Sequence, residues 1–441
     1  MSLTTIALLM FLAVIVFFFL GHPLAFVLGG VGTLFGFFVV GTGFFSTFMD
    51  RIFVGIMGNF TLVAITLFIL MGNFLTISGI ADRLFESLRF FLGATRGGLG
   101  VAVLAVCAVL SACIGIVGAS IVTVGLLTGP MLLRYGYQKE LTMGIVAGGG
   151  TLGLIIPPSI MLIVMGDTAG VPVDKMLAAA VIPGLFVGIL YATYIRVRCG
   201  LNPELGPPIP AEEMSLMPFG DRLMDFVMYS LLPLALIAGV IAAIFFGFAS
   251  PTQAAGIGAT IAFLLVLIYR RFNWQDFLAT LYQTAKATTM VMIIMVGASC
   301  FTGIFLGMGG GKAIVDTLIA IGLDKWGLFF VMMISLVILG CFIDWVGLIF
   351  LIFPIFLPIA RLMGFDMVWF VMMMAIYLQI SFLLPPFGYA LFYLAGMKIQ
   401  GIKWGHIYRG VLPFLIIQII ALFVFTSFPD LILFLPTIFY G

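Results

Sequence analysis

Charge is scarce in this 441-residue chain: Lys, Arg, Asp and Glu together make up 8% of it, against 63% hydrophobic residues. So little polar surface excludes a soluble globule, which has to coat itself with charged and polar side chains. Stretches with no charge at all run from Arg96 to Arg134, Asp225 to Arg270 and Asp366 to Lys398. Each exceeds the roughly 20 residues one spanning helix needs, so several contain a second crossing or a re-entrant hairpin. Because these runs are continuous rather than alternating, a β-barrel is excluded. The near absence of charge imbalance, +2 net, points to neither nucleic acid nor a strongly anionic surface as a partner.

Other absences narrow the chemistry. Histidine occurs twice, as His22 and His406, each at a helix border with no carboxylate or cysteine at ligand spacing. The five cysteines lack the spacing of a metal site or disulfide framework. No GxxxxGK[ST], HExxH or GxSxG occurs, so neither ATP hydrolysis nor familiar hydrolytic chemistry is signalled, and the chain is not expected to be an enzyme. Leu3 to Leu20 lacks the basic flank and small-residue cleavage pattern of a signal peptide and is expected to stay as a helix. The 26 methionines are scattered through apolar runs, as packing and lipid contact require.

What is present is an internal repeat. An offset of 228 takes Pro23 to Pro251, Gly30 to Gly258, Cys113 to Cys341, Pro130 to Pro358, Gly136 to Gly364 and Pro157-Pro158 to Pro385-Pro386. Glycine and proline answer to backbone geometry, so their recurrence is not explained by shared apolarity. Each half reads as helix (4 to 20; 228 to 248), helix (23 to 45; 251 to 269), short amphipathic segment (49 to 58; 273 to 285) and helix (60 to 80; 287 to 308). There follow a polar amphipathic segment (81 to 94; 312 to 324), a long run with a weak centre, a helix broken by the double proline, and a last helix (174 to 196; 407 to 427). The expected division is a first repeat at 1–198 with hairpin 97–134 and broken helix 139–167, a cytoplasmic linker at 199–221, and a second repeat at 222–441 with hairpin 326–361 and broken helix 367–397. An odd number of crossings per half makes the repeats inverted. Placing both termini outside leaves fourteen Lys and Arg residues in the cytoplasm; only Arg51, Lys175, Lys312, Lys325 and Arg361 lie outside.

Breaking a helix inside the bilayer costs several kcal/mol for each unpaired backbone group, and such breaks survive where they line a cavity or meet a ligand. Paired breaks in inverted repeats are the pattern of secondary transporters, whose site lies at the repeat interface near the midplane. Freed carbonyls can bind cations, and helix N-termini aimed inward can bind an anion. A first Na⁺ site is expected from Gly115, Gly118, Ser120, Thr151 and Gly153, although small residues there also serve close helix packing. A second is expected from Asp344, Gly347, Gln379 and Ser381. Asp344, a carboxylate flanked by apolar residues, is a candidate to ligate Na⁺, to carry a proton, or to cap the second hairpin arm. Ser120, Ser159, Gly347 and Gly388 are the candidates for the substrate, and Pro157, Pro158, Pro385 and Pro386 make the breaks. Asp167, Asp174 and Lys175 read as a solvated loop.

The stretches GASIVTVGLLTGPMLLRYGY (118 to 137), GTLGLIIPPSIM (150 to 161), AAAVIPGLFVG (178 to 188), SPTQAAGIGA (250 to 259), FID (342 to 344) and ISFLLPPFGYALF (380 to 392) resemble the large membrane subunit of tripartite ATP-independent periplasmic (TRAP) transporters. The resemblance implies an all-α polytopic membrane protein of inverted-repeat ion-transporter fold, with two re-entrant hairpins and two broken helices of elevator type. It further implies Na⁺-coupled import of a small organic acid across the bacterial inner membrane, a small four-helix membrane partner embedded with it in lipid, and a periplasmic substrate-binding protein. The chain departs from many members in reading GAS rather than GSS at 118 to 120 and YLQIS at 377 to 381. A self-sufficient Na⁺ or H⁺ carboxylate symporter is the alternative.

Overall fold

The computed structural model describes residues 3–115, 117–210, 220, 224, 226, 227, 231–311 and 322–441. Among them every regular element is helical. The first half comprises α1 (Leu3–Phe19), α2 (Leu24–Val40), α3 (Phe44–Asp50), a π-helical turn (Arg51–Met57), α4 (Thr61–Ile77), α5 (Ile80–Leu92), α6 (Gly98–Ile114), α7 (Val117–Arg134), α8 (Lys139–Leu152), α9 (Ile160–Ala169) and α10 (Val173–Leu201). The second comprises α11 (Leu232–Phe245), α12 (Pro251–Ile268), α13 (Trp274–Gly307), α14 (Lys325–Gly340), α15 (Trp345–Leu362), α16 (Met367–Leu383), α17 (Tyr389–Gly396), α18 (Trp404–Ser427) and α19 (Asp430–Tyr440). Six helical segments among the described residues are long and apolar enough to cross a membrane. The protein is a polytopic membrane protein.

The 228-residue offset survives at the level of single helix ends: α7 begins and ends 228 residues before α15, and α8 begins 228 residues before α16. The weak-centred runs are the two hairpins, α6–α7 and α14–α15. Gly115 turns the first with φ +68, a left-handed conformation that side chains resist. Both proline pairs lie where helices stop, and in both the peptide between the prolines is cis.

The two halves are interleaved rather than juxtaposed. Helix α2 packs along α13 and α4 along α12, so the second element of each repeat lies on the fourth element of the other. Small residues permit this: a side chain on Gly297 would enter the Ala25 carbonyl, and one on Gly32 would come within 3.0 Å of the Phe301 amide nitrogen. Asn73 Nδ2 donates to Thr284 Oγ1 at 2.9 Å between α4 and α13.

A second inter-repeat crossing joins α8 to α18, where Gly144 and Gly410 face one another backbone to backbone. A methyl on Gly144 collides with the Gly410 carbonyl, and one on Gly410 with the Glu140 carbonyl. Gly410→Ala should therefore cost about 1–3 kcal/mol through overpacking, read as a lowered Tm of the detergent-solubilised protein; an unchanged Tm would contradict this crossing.

Three features depart from the sequence expectation. The segments 273 to 285 and 287 to 308 form one continuous helix, α13, because no glycine or proline interrupts Trp274 to Val296 and Asn273 caps its start by accepting from Gln275 N. In the first half the corresponding helices are separated at Gly58 and Asn59. Helix α19 adds a short element after the last expected helix. The linker is shorter than 199–221: α10 runs to Leu201, and the following residues are laid against the start of the first hairpin through Gly97 N to Gly206 O and Ile209 N to Gly93 O. The rest of that linker, at 211–219 and 221, and most of the polar segment 312 to 324 lie outside the described residues.

Candidate functional site

Helix α8 ends at Leu152, and the chain turns through Gly153 to Ser159 before α9 begins. Pro157 and Pro158 have no N–H to continue the ladder. In the second half α16 ends at Leu383; Leu384, which precedes Pro385, is extended at φ −74, ψ 115, the region to which a following proline drives its neighbour. Helix α17 then starts after Gly388, whose N–H closes on the Leu384 carbonyl at 2.8 Å.

Each hairpin meets the break of its own repeat through equivalent positions. A side chain on Gly153 would collide with the Ala112 amide nitrogen and with Ser111. Adding 228 to both positions gives Ser381 and Gly340, and a side chain on Gly340 would collide with the Ser381 hydroxyl. The tip residue Cys341 also directs its Sγ to the Ser381 carbonyl at 3.6 Å. The close approach of hairpin and break is thus made twice.

Around the first of these junctions Thr151 is fully buried and its hydroxyl donates back to the Ala147 and Gly148 carbonyls, leaving oxygen lone pairs available. Ser120 is buried on α7; its neighbour Ile121 lies against Gly150, which precedes Thr151. Ser111 Oγ is buried without a hydrogen-bond partner. Sequence reasoning missed Ser111, since one serine in an apolar run carries no signal. The expected cluster is partly dispersed: Gly115 abuts Ile160 at the first turn of α9, while Gly118 abuts the ring of Tyr393 on α17.

At the second junction Asp344 caps α15, its Oδ2 accepting from Val346 N at 3.4 Å. Gln379 is fully buried, and neither its Oε1 nor its Nε2 has a partner. An unpaired buried amide costs about 1–3 kcal/mol, so such a group marks either strain or a ligand. The Ser381 hydroxyl donates to Leu378 O at 2.6 Å. Gly347 does not face this cluster; it is turned toward the Leu24 side chain on α2. Ser159 caps α9 by position, but its hydroxyl is bonded to the Leu154 carbonyl within the break.

Two further residues emerge at the meeting of the halves. On α17, Tyr393 donates from its hydroxyl to that of Tyr389 at 2.8 Å. Tyr393 covers Gly118 of the first hairpin, and Tyr389 lies within electrostatic reach of Asp344 of the second. The tyrosine pair therefore packs on the first tip and lies in the electrostatic field of the second. Reciprocal packing surrounds it: α17 leans on α7, and α9 on α15. Asp167, expected in a solvated loop, is instead half-buried, with both oxygens accepting from Asn59 Nδ2 at 2.9 Å.

The arrangement gathers buried hydroxyl, amide and carboxylate oxygens with the N-termini of α7, α9, α15 and α17, and this suits a monovalent cation and an anion together. Residues 11–431 match the family model described as the tripartite ATP-independent periplasmic transporter, DctM component. The chain is 30% identical over 379 residues, 86% of each chain, to the C4-dicarboxylate TRAP transporter large permease protein DctM of Pseudomonas aeruginosa. It is 27% identical over 424 residues, 96% of each, to the sialic acid TRAP transporter large permease protein SiaM of Vibrio cholerae. Its fold is similar, with a TM-score of 0.63 at 15% identity, to the crystal structure of the Alcanivorax borkumensis YdaH transporter, described as having an unusual topology; 89% of this chain and 90% of that one are covered.

Proposed function

Because this chain belongs to the family of the DctM component of tripartite ATP-independent periplasmic transporters, and is thus a transport protein rather than an enzyme, we propose that it imports a small organic acid anion together with Na⁺ across the bacterial inner membrane. A periplasmic binding protein delivers the anion, and a small four-helix membrane subunit accompanies the chain; the tripartite description favours this over a stand-alone symporter. Relatives named for C4-dicarboxylates and for sialic acid support an organic acid as cargo.

The observation that carries this reading is the twice-made junction of hairpin and break, 112 with 153 and 340 with 381, beside buried polar atoms on Ser111 and Gln379 that lack partners. Asp344, Gln379 and Ser381 would hold one Na⁺; Thr151, Ser120, Ser111 and the Gly153 carbonyl would hold another. Bound Na⁺ offsets the negative field of carboxylate and carbonyl oxygens. The helix N-termini at the two tips then attract the anion, with Ser120, Gly388, Tyr389 and Tyr393 as its nearest polar groups.

The two hairpins and broken helices would move as one body against a scaffold of α2, α4, α12 and α13, carrying the site across the membrane as an elevator. In this arrangement residues 1–198 and 222–441 are inverted repeats, the chain after Leu201 connects them in the cytoplasm, and both termini are periplasmic.

Binding of Na⁺ is testable before the cargo is known. A ligand present at 100 times its Kd stabilises the folded state by about 2.7 kcal/mol, so NaCl should raise the Tm of the purified protein by several degrees over equimolar KCl or choline chloride. Equal Tm in all three salts would defeat the Na⁺ reading.

A further inference from the structure

Away from the hairpin tips lies a cavity of about 280 Å³ whose polar lining is Arg51, Thr168, Ser299, Thr302 and Arg361. Four separate elements build it: the π-helical turn, α9, α13 and α15. Its two arginines come from different repeats and are 310 positions apart in sequence. Both were assigned to the same outer face by counting basic residues, and here they share one cavity.

Guanidinium groups normally answer to a carboxylate. The one ion pair among the described residues is Arg89 with Glu86, so neither of these arginines has an acidic partner within 4 Å. Arg361 spends a single N–H, from Nη2 to the Ala169 carbonyl at 2.9 Å, and a guanidinium has five. Arg51 lies alongside Gly303, whose missing side chain leaves room for it. Thr168 Oγ1 is buried and has no hydrogen-bond partner. Positive charge, hydroxyls and an unsatisfied buried oxygen thereby line one cavity.

The rest of the lining is apolar. Phe350, Phe353, Pro354 and Leu357 belong to α15, the arm that leads from Arg361 back to Asp344 at the hairpin tip. Phe350 is six residues from Asp344, roughly 9 Å along a helix rising 1.5 Å per residue. Arg361 is 17 residues from Asp344, roughly 25 Å along the same helix, so an anion held at the arginines is separate from the transport site and lies at the far end of the arm that leads to it. A guanidinium recognises a planar carboxylate through two parallel N–H bonds, a second one adds charge, and the apolar lining accepts a short carbon skeleton.

We propose that this cavity is a vestibule for small organic acids, in which Arg51 and Arg361 hold the carboxylate before it passes along α15 to the hairpin tips. The assignment rests on the reading of the chain as an organic-anion carrier, and it makes the cavity a distinct, earlier binding site.

The test is arginine modification by phenylglyoxal on the full chain in lipid nanodiscs, with adducts mapped by mass spectrometry. Succinate, pyruvate and N-acetylneuraminate are each compared with chloride at equal ionic strength. Carboxylate protection is expected to slow modification of Arg51 and Arg361 together, by about fivefold or more beyond chloride for at least one acid, while Arg270 and Arg271 react unchanged. No protection beyond chloride, or equal slowing at Arg270, overturns the proposal. Asp344→Asn separates it from the Na⁺ reading: the vestibule remains protected in that variant even though coupling is lost. Protection that disappears with Asp344→Asn would mean a single shared site and no vestibule.

Discussion

Asp344→Asn should leave the protein folded and abolish Na⁺-driven uptake. The carboxylate has two separable duties here: Oδ2 accepts from Val346 N and caps α15, and its charge is one ligand of the proposed second cation site, to which the unpaired amide of Gln379 is also assigned. Asparagine caps a helix about as well as aspartate, so the substitution removes the charge and keeps the cap. At an effective dielectric constant near 20, two unit charges about 4 Å apart attract by roughly 4 kcal/mol, which corresponds to a loss of Na⁺ affinity on the order of a thousandfold. In proteoliposomes with the companion subunit and binding protein, Na⁺-driven uptake should fall to background while the Tm in choline chloride stays within a few degrees of wild type. Asp344→Ala, which removes the cap as well, should cost a further ~1 kcal/mol of stability. A variant that retains wild-type Na⁺ dependence with Asn at 344 leaves Asp344 as a cap alone.

The parts of this architecture legible in the sequence were those written in glycine and proline. Pro157-Pro158 and Pro385-Pro386 announce the breaks because no backbone donor can be supplied there, and Gly115 announces the first tip because its φ is positive. Sequence periodicity could not reveal which residues face one another across the repeats. Tyr389 and Tyr393 sit in an apolar run and acquire meaning through Gly118 and Asp344, which lie in other hairpins. Arg51 and Arg361 look like ordinary loop and helix-end charges until the fold brings them to one cavity. Gly347 misled for the opposite reason: adjacency to Asp344 in sequence does not keep a helical residue on the same face, and it is turned toward Leu24.

Under the repeat offset Gly153 is replaced by Ser381, which adds a hydroxyl to the second junction. Its structural context is a compensating exchange, since position 112 is Ala where position 340 is Gly, so the junction always has one glycine and one larger residue. In the first repeat the break yields; in the second the hairpin yields. Gly340→Ala breaks the rule by placing a methyl against the Ser381 side chain, whose hydroxyl is already committed to Leu378 O. Such overpacking costs about 1–3 kcal/mol, and displacement of the tip by even a fraction of an ångström should reduce uptake by an order of magnitude or more, as a misplaced binding group does. Ser381→Gly in the same chain recreates the first repeat's pairing and should restore the Tm. It should not restore uptake if the Ser381 oxygens ligate Na⁺, so the double variant would be stable, yet need a higher Na⁺ concentration for half-maximal rate. Recovery of both Tm and Na⁺ affinity would reduce Ser381 to a packing residue and leave Asp344 and Gln379 as the second cation's side-chain ligands. Failure to recover the Tm would show that hairpin and break do not meet at 340 and 381, and with it the equivalence of the two junctions would fall.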